Sequence, residues 1–420
     1  MVARARLTLA SFLAVIILVL VVAAPALAWT ETREVATTAD GITLVFKRMR
    51  NAGAPPVILA HGLGANYSEW DLPSKSFARY LADRGYDVWL ANYRNSGTGQ
   101  YESDPAIGAS FDEIAIFDVE AIVARVEAET GARPFWVGHS LGGMIAYAWL
   151  GGAAFERVVT HRVPYLTLAG IRYRELFGRR VAGDPARAAA RNARLRGLVT
   201  IGSPGPLAWR VPAHRVNIAR DSYWDYNILL TALAYSPSAN AASYSTEQVP
   251  VGDVIDFLTT FLPTVPFVGA QLGPFLTLVA ARIGTTPLTA QTIYGPNMEV
   301  HVLREAIPRA GEDASTVIFR QLLDGIRTSA LREEQVLDTA RRPYVYSDHY
   351  DRVTAPALLV AGDKDKLACD DVVRDRVFAP LGSADKTLLG VADFGHVDLV
   401  IGRRAEAGVW APVEVWLQGH

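Results

Sequence analysis

Short, mostly apolar runs alternate with stretches of helical spacing along the first part of the chain. Residues 56–60, 87–91 and 134–137 are runs of this kind. Such runs are typical of strands that a parallel sheet buries on both faces. Residues 75–84 and 111–130 lie between them and have the spacing of amphipathic helices. The alternation predicts an α/β protein with a mostly parallel sheet and helices on both faces.

The sheet pattern also appears on either side of this region. Asp40-Gly41 separates two strand-like stretches, residues 34–37 and 42–46, and this dipeptide between strands predicts a hairpin. Beyond the first region, three further strands are predicted, at residues 198–201, 355–361 and 386–391.

The residues between these groups of strands differ in character. We interpret residues 151–196 as a connection that contains a basic, alanine-rich helix at 185–196. Residues 206–342 contain no recognisable strand of the sheet, and helices are predicted at 254–261 and 316–326. The predicted organisation is therefore a core in two parts with a helical cap or lid inserted between them, at residues 29–205, 206–342 and 343–420.

One segment of the predicted cap, residues 258–281, carries no charge and is long enough to span a membrane. Pro263, Pro266 and Pro274 interrupt it, and proline breaks a helix because it lacks an N–H group and clashes with the preceding turn. The segment fits a lid or substrate pocket better than a transmembrane helix, with the core of the cap as the alternative. A lid of this composition predicts an apolar substrate.

The first 28 residues have the pattern of a secretory signal peptide. Arg4 and Arg6 precede an uncharged, mostly apolar stretch at residues 7–24, and Ala26-Leu27-Ala28 offers small residues for cleavage. The apolar stretch also approaches the length of a membrane span, so an uncleaved anchor is the alternative. Both interpretations predict that the remainder of the chain is exported.

Composition excludes some classes of function. The chain has 41 basic and 43 acidic residues, and no basic run in the sequence indicates a nucleic acid or an anionic lipid as partner. Cys369 is the single cysteine, so no internal disulfide is possible, and we expect a small buried filler rather than a reactive thiol. No histidine or cysteine cluster has ligand spacing, so neither a metal nor a cofactor is expected.

The main candidate for chemistry is Gly138-His139-Ser140-Leu141-Gly142, which follows an apolar run and precedes the helix-forming residues 144–150. The G-x-S-x-G spacing between a strand and a helix is typical of a nucleophile elbow. There the serine occupies a strained turn, so that its hydroxyl projects clear of the sheet. The alternative is an ordinary glycine-rich loop in which Ser140 caps the helix.

A serine nucleophile needs an adjacent base that a third group orients. With an elbow of this type the chain order is serine, then the acid, then histidine. His396 follows the last predicted strand and is the expected base, because His420 is the terminal residue, where chains fray. Asp365 is the preferred acid because it lies far enough past its strand to reach back to the imidazole. Asp363 is more simply a turn residue.

Two backbone amides are expected to bind the oxygen that becomes negative during acyl transfer. One is the N–H of Leu141, directly after the serine. The other comes from the loop after the third strand, His61-Gly62-Leu63-Gly64, where Leu63 is the best candidate. We interpret His61 itself as a structural loop histidine.

Four stretches of the chain resemble the α/β-hydrolase superfamily, and particularly its acid lipase group of gastric and lysosomal type. The stretches are PPVILAHGLGANYSEWDLPSKSFARYLADRGYDVWLANYRNS at 55–96, Ser110-Phe111-Asp112-Glu113 with Asp118, GDKDKLACDDV at 362–372, and HVDLVIG at 396–402. The resemblance implies the α/β-hydrolase fold and supports Asp365 as the acid. It departs from the lipases at Leu141, where they usually have glutamine, and does not extend to residues 206–306, so it does not identify the substrate.

Taken together, these features predict an exported serine hydrolase that cleaves hydrophobic carboxylic esters through Ser140, His396 and Asp365. A small-molecule or lipid ester is the expected partner, with contact to a lipid surface possible and nucleic acid excluded. A polyester depolymerase, a thioesterase or an acyltransferase could use the same three residues. A non-catalytic lipid-binding protein on a hydrolase frame is the alternative from another class.

Overall fold

A computed structural model describes residues 29–106, 108–167, 170–207, 248–249, 292–334 and 342–420. The predicted signal peptide, the predicted helix at 254–261 and the uncharged segment at 258–281 lie outside the described residues. The strands are β1 (Thr30–Thr37), β2 (Thr43–Arg50), β3 (Pro56–Ala60), β4 (Asp87–Ala91), β5 (Phe135–His139), β6 (Ala153–Thr167), β7 (Gly170–Gly183), β8 (Gly197–Ile201), β9 (Gln248–Val249), β10 (Ala314–Ser315), β11 (Ala357–Gly362) and β12 (Lys386–Val391).

Eight of these strands form one sheet in the order β1-β2-β4-β3-β5-β8-β11-β12. The pairs β1–β2 and β2–β4 are antiparallel, and every pair from β4 to β12 is parallel. The predicted mostly parallel sheet and the predicted first hairpin are therefore confirmed. The strands β3, β4, β5, β8 and β11 are buried throughout, which explains why they appear in the sequence as continuous apolar runs.

Helices cover both faces of the sheet. They are α1 (Phe77–Ala82), α2 (Phe111–Glu113), α3 (Val119–Thr130), α4 (Leu141–Leu150), α5 (Pro185–Asn192), α6 (Val300–Ala310), α7 (Thr316–Thr328), α8 (Asp370–Val373), α9 (Asp398–Ile401) and α10 (Ala411–Gly419). A π-helical turn, Ile114–Asp118, joins α2 to α3. Among the described residues, no helix is both long enough and apolar enough to cross a bilayer.

Side chains that alternate along each strand pack into two separate cores. Ile58 of β3 lies in the core that includes Ile122 of α3 and Ile145 of α4. Its neighbour Val57 lies in the opposite core, with Leu81 of α1 among other residues. This two-residue period follows from the pleat, because successive side chains of a strand point to opposite faces.

The region 151–196 differs from the prediction. Instead of a plain connection it contains a long antiparallel hairpin, β6–β7, before the short helix α5. The described residues of this hairpin are exposed on both faces over most of its length. It therefore lacks the buried apolar side that identifies a strand in a sequence, and this is why the prediction missed it.

Candidate active site

Ser140 lies at the sharp turn between β5 and α4. Its backbone has φ +50° and ψ −116°, a conformation that non-glycine residues rarely adopt, and its N–H donates to the carbonyl of Ile201 at 3.0 Å. The turn is possible because glycines flank the serine. A Cβ atom on Gly142 would overlap the carbonyl of Ala60, and one on Gly138 would overlap the backbone of Gly142. The strand, strained turn and helix agree with the geometry of a nucleophile elbow.

The structure brings Ser140, His396 and Asp365 together, although they are far apart in the sequence. The Nε2 atom of His396 lies 2.8 Å from Oγ of Ser140, and its Nδ1 atom lies 2.8 Å from Oδ2 of Asp365. Asp365 follows β11 and His396 follows β12, so both loops leave the carboxyl edge of the parallel sheet, where Ser140 also lies. Asp365 is fully buried and His396 nearly so.

The contacts of the His396 ring define its tautomer. An ionised carboxylate only accepts hydrogen bonds, so Nδ1 must carry the proton that it donates to Asp365. The lone pair of Nε2 then faces the hydroxyl of Ser140, which donates to it. In this arrangement the imidazole can accept the serine proton without turning its ring.

Backbone amides hold the acid and the histidine loop. Oδ1 of Asp365 accepts hydrogen bonds from the N–H groups of Leu367 and Ala368, both at 2.8 Å. Behind the histidine, the Asp398 carboxylate accepts from the N–H groups of Gly395 and Tyr294, both at 2.9 Å. Asp363, which the sequence favours as a turn residue, accepts from the N–H of Asp393. These bonds hold the side chain of Asp365 and the backbone of the loop that carries His396.

The predicted oxyanion donors, Leu63 and Leu141, line the same cavity as Ser140 and His396. Neither amide donates a hydrogen bond to another protein group within the described part of the chain. Both N–H groups are thus available to an oxygen bound beside Ser140, as an oxyanion hole requires.

Sequence reasoning missed a second pair of side chains behind the elbow, Glu69 and His139. Oε2 of Glu69 accepts a hydrogen bond from the N–H of Gly62 at 2.8 Å. Its Oε1 atom lies 2.5 Å from Nδ1 of His139, in an ionic contact that is not aligned as a linear hydrogen bond. His139 directly precedes Ser140, but nothing in the sequence connects it to residue 69.

Both nitrogens of His139 face acceptors. Nδ1 faces the Glu69 carboxylate, and Nε2 lies 3.3 Å from the carbonyl of His396. An imidazole between two acceptors satisfies both only when each nitrogen carries a proton. Burial disfavours that charge, but the Glu69 carboxylate outweighs it and raises the pKa of His139 above the ordinary value. The same contact affects the Glu69 carboxyl. Burial acts to raise the pKa of Glu69, but His139 outweighs burial, and the pKa lies below its ordinary value.

His61 contacts structural groups, in line with its interpretation as a loop histidine. Its Nδ1 donates to the carbonyl of Gly62 at 2.8 Å, and its Nε2 lies 3.1 Å from the hydroxyl of Ser96. Burial lowers the pKa of His61 to about 4, so the ring is neutral near pH 7.

A cavity of about 530 Å³ opens beside Ser140 and His396. Its wall is mostly aliphatic, and α6 and α7 supply much of it, with Leu303, Ala306, Ile307, Phe319, Leu322 and Leu323. Among the described residues there is no group of three histidine, cysteine, aspartate or glutamate side chains that could hold a metal ion. The cavity can therefore enclose an apolar molecule with one reactive polar group at the serine.

Comparisons with known proteins agree with this architecture. Residues 55–202 match the family model described as the alpha/beta hydrolase fold. The solved structure of DcsB in complex with its substrate analogue superposes with a TM-score of 0.50 at 13% identity, over 93% of this chain and 99% of that chain. Similarity at this identity concerns the fold alone. The chain has the α/β-hydrolase fold that the sequence predicted.

Two human lipases show similarity in sequence. Lipase member K is 39% identical over 128 residues, which are 26% of this chain and 32% of that protein. Gastric triacylglycerol lipase is 37% identical over 127 residues, with the same two shares. The chain thus spans about a third of the length of the curated relatives it matches. The predicted resemblance to lipases of the gastric type is confirmed at this modest identity and over this part of the chain.

Proposed function

We propose that this protein is a serine hydrolase that cleaves hydrophobic carboxylic esters by two-step acyl transfer. The observation that carries the proposal is the continuous hydrogen-bonded chain from Ser140 through His396 to Asp365, at the wall of an apolar cavity. The similarity to gastric triacylglycerol lipase over 127 residues and the match of residues 55–202 to the alpha/beta hydrolase fold are consistent with the same chemistry.

In the first step, Oγ of Ser140 attacks the ester carbonyl carbon while Nε2 of His396 takes the hydroxyl proton. The carbonyl oxygen becomes negative and accepts hydrogen bonds from the N–H groups of Leu63 and Leu141. Asp365 stabilises the imidazolium through its hydrogen bond to Nδ1. His396 then passes the proton to the departing alkoxide, the alcohol leaves, and an acyl-enzyme ester remains on Ser140.

In the second step a water molecule replaces the alcohol. His396 takes a proton from the water, whose oxygen attacks the acyl carbon, and the same two amides bind the oxyanion again. Collapse of the intermediate returns the proton to Oγ of Ser140 and releases the carboxylic acid. No other reactant is needed, because the base that is protonated in each half-reaction is regenerated in the same half-reaction.

The composition of the cavity supports a hydrophobic acyl or alcohol group in the substrate. Aliphatic and aromatic side chains from α6 and α7 form much of the wall, and both helices belong to the proposed cap at 206–342. The boundaries of that cap and export through residues 1–28 stay predictions from the sequence.

Labelling by a fluorophosphonate probe, together with hydrolysis of p-nitrophenyl esters of rising chain length, tests the proposal. We expect one adduct, on Ser140, and a kcat/KM that rises from acetyl towards longer acyl chains. Ser140→Ala should lose the adduct and at least about 1,000-fold in kcat, because the nucleophile is removed. Ser383→Ala is a matched control at a buried serine that precedes β12 at the amino edge of the sheet, and it should keep both the adduct and the activity.

Two results would contradict the proposal. A folded protein that forms no Ser140 adduct would favour the non-catalytic lipid-binding alternative. Activity confined to charged, water-soluble esters would keep the triad and exclude the hydrophobic substrate.

A further inference from the structure

The hairpin β6–β7 has features that ester cleavage does not use. Its strands are 15 and 14 residues long, and pairing extends from Ala153–Gly183 to Thr167–Gly170. Most of its described residues are exposed on both faces. An isolated two-stranded ribbon is only marginally stable in water, so a hairpin of this length calls for a surface that covers it.

One face of the hairpin is apolar near its tip. Leu166 pairs with Ile171, and Pro164 pairs with Tyr173; directly paired residues lie on the same face of an antiparallel ribbon. The exposed fractions are 82% for Leu166, 65% for Ile171 and 62% for Tyr173. Large apolar side chains with this exposure form a patch that water solvates poorly.

The other face carries Arg172 and Arg174 together with the exposed apolar side chains of Val163 and Leu176. Arg172 and Arg174 alternate with Ile171 and Tyr173, so they lie on the opposite side of the ribbon. Between residues 153 and 183 there are six arginines and two glutamates, a net charge of +4 in a chain whose net charge is −2. Arg162 and Arg180 pair with those two glutamates. Arg172 and Arg174 form no ion pair with any residue that the structure describes.

The hairpin runs towards the edge of the sheet that carries the candidate active site. Phe155 packs against Phe117, with ring centroids 5.1 Å apart. Arg179 lies further from the base of the hairpin and pairs with Glu113, which is one helical turn nearer to the start of α2. That helical region begins at the carboxyl edge of the sheet, because its last residue, Thr130, leads directly to the start of β5 at the amino edge. The tip of the hairpin therefore points to the side on which Ser140 lies.

Helix α7 connects the base of the hairpin to the substrate cavity. Val317 and Arg320 of α7 share a small polar cleft with Phe155 of the hairpin. On the same helix, Phe319 and Leu322 line the large apolar cavity. The hairpin and the cavity are thus separated by a single helix.

We propose that β6–β7 docks the protein on an anionic lipid surface. Leu166, Ile171 and Tyr173 enter the boundary between headgroups and acyl chains, and Arg172 and Arg174 contact lipid phosphates. The sequence left contact with a lipid surface open but indicated no anionic lipid, because the four arginines of β7 are interspersed with apolar residues and form no continuous basic run. The proposal rests on the proposed function in one respect only, namely that this surface would supply hydrophobic esters to the cavity.

Co-sedimentation of the full chain with vesicles of phosphatidylglycerol and phosphatidylcholine tests this docking, with pure phosphatidylcholine for comparison. We expect binding to the anionic vesicles that weakens as salt is added. Arg172→Gln with Arg174→Gln should weaken it about 25-fold, or about fivefold for each arginine. Leu166→Ser with Ile171→Ser should weaken it at least about tenfold, because two apolar side chains leave the membrane boundary.

The matched controls are Val415→Ser, an apolar residue that is 64% exposed on α10, and Arg133→Gln, in an exposed loop at the amino edge. Both should bind as the parent does. All variants should cleave a short, water-soluble ester within about twofold of the parent rate, which shows that they are folded. Binding without esterase activity would contradict the proposed function alone, whereas activity without binding would overturn only the docking proposal.

Hydrogen exchange of the unaltered protein keeps the test independent of variants that fail to fold. Anionic vesicles should protect residues 162–167 and 170–174, and unchanged exchange there would overturn the proposal. Equal binding to neutral vesicles would also overturn it. A third result would overturn the proposal: the parent protein is a dimer that does not bind vesicles, and Leu166→Ser with Ile171→Ser makes it monomeric. A second copy of the chain would then be what covers the hairpin.

Discussion

At the scale of single residues, Glu69 connects the two loops that act on the same carbonyl group in the proposed mechanism. Its carboxylate holds the N–H of Gly62, which precedes Leu63, and the ring of His139, which precedes Ser140. The same ring contacts the backbone carbonyl of His396. In the proposed mechanism Glu69 is therefore a positioning residue, because its contacts connect the loop of Leu63, the elbow and the histidine loop.

Glu69→Gln tests this positioning with little change in shape. The amide oxygen can still accept from Gly62, but the negative charge that raises the pKa of His139 is lost. Because a displacement of about 1 Å at the site can reduce catalysis about 100-fold, we expect kcat on a soluble ester to fall about tenfold or more, with KM within about twofold. Steady-state kinetics measures both constants.

Glu406→Gln, an exposed glutamate after α9, is the control and should leave both constants unchanged. A Glu69→Gln enzyme with the parent kcat and a lower melting temperature would show that the pair contributes to stability alone.

At the scale of elements, the elbow depends on backbone contact between helix α4 and strand β3. Gly142 approaches the carbonyl of Ala60 so closely that even a methyl group would overlap it, and Gly143 approaches Ser203 in the same way. The start of α4 is therefore set by the absence of side chains. This contact determines how far the hydroxyl of Ser140 lies from His396.

Gly142→Ala should displace the first turn of α4. Overpacking of this kind costs about 1–3 kcal/mol of unfolding free energy. A displacement of about 1 Å can reduce catalysis about 100-fold. We therefore expect the loss of kcat, converted to an activation free energy, to exceed the loss of unfolding free energy. Urea unfolding and ester kinetics on the same sample measure the two effects.

Gly419→Ala provides the matched control, since a Cβ atom there meets open space in α10. Its stability should change by less than about 0.5 kcal/mol. A Gly142→Ala enzyme of normal kcat would show that the elbow tolerates a shift of its helix.

At the scale of the whole molecule, Arg94 connects three separate parts of the fold. It follows β4, and its guanidinium pairs with Asp118, in the π-helical turn, at 2.6 Å and with Asp40, at the tip of the first hairpin, at 2.8 Å. Asp118 is fully buried, so its carboxylate depends on this cation. Burial raises the pKa of Asp118 to about 6 even though Arg94 opposes the shift.

Arg94→Met should cost about 3–5 kcal/mol of unfolding free energy near pH 8, because it leaves a buried carboxylate without its partner. The cost should shrink at pH 5. A carboxyl whose folded pKa is raised holds its proton in the folded chain, so its stabilising effect is present at low pH and is lost as pH rises through the folded pKa. Chemical denaturation at the two pH values measures the difference.

Arg50→Met is the control, at an exposed arginine that ends β2, and should change stability by less than about 0.5 kcal/mol at both pH values. An Arg94→Met penalty that is the same at pH 5 and pH 8 would show that Asp118 keeps its charge without the arginine.

Much of the fold and the candidate site could be predicted from local pattern. The strands β3 and β4 begin and end where the predicted runs do, because buried strands need mostly apolar character. Ser140, Asp365 and His396 were found because each follows a strand of the sheet, and the order of such residues along the chain is a property of the fold. Their catalytic role stays a prediction, although the structure brings them within hydrogen-bonding distance.

The sequence alone therefore determined the local features of the fold. These are the runs that are buried, the positions where the chain turns, and the polar residues that stand at strand ends. Contacts between distant loops were decided only by the tertiary structure. The Glu69–His139 pair, the Arg94–Asp118 pair and the two-faced hairpin all depend on residues that meet after folding. The physical reason is that periodicity records which side of an element is buried, whereas the partner of a buried charge is known only once the elements pack.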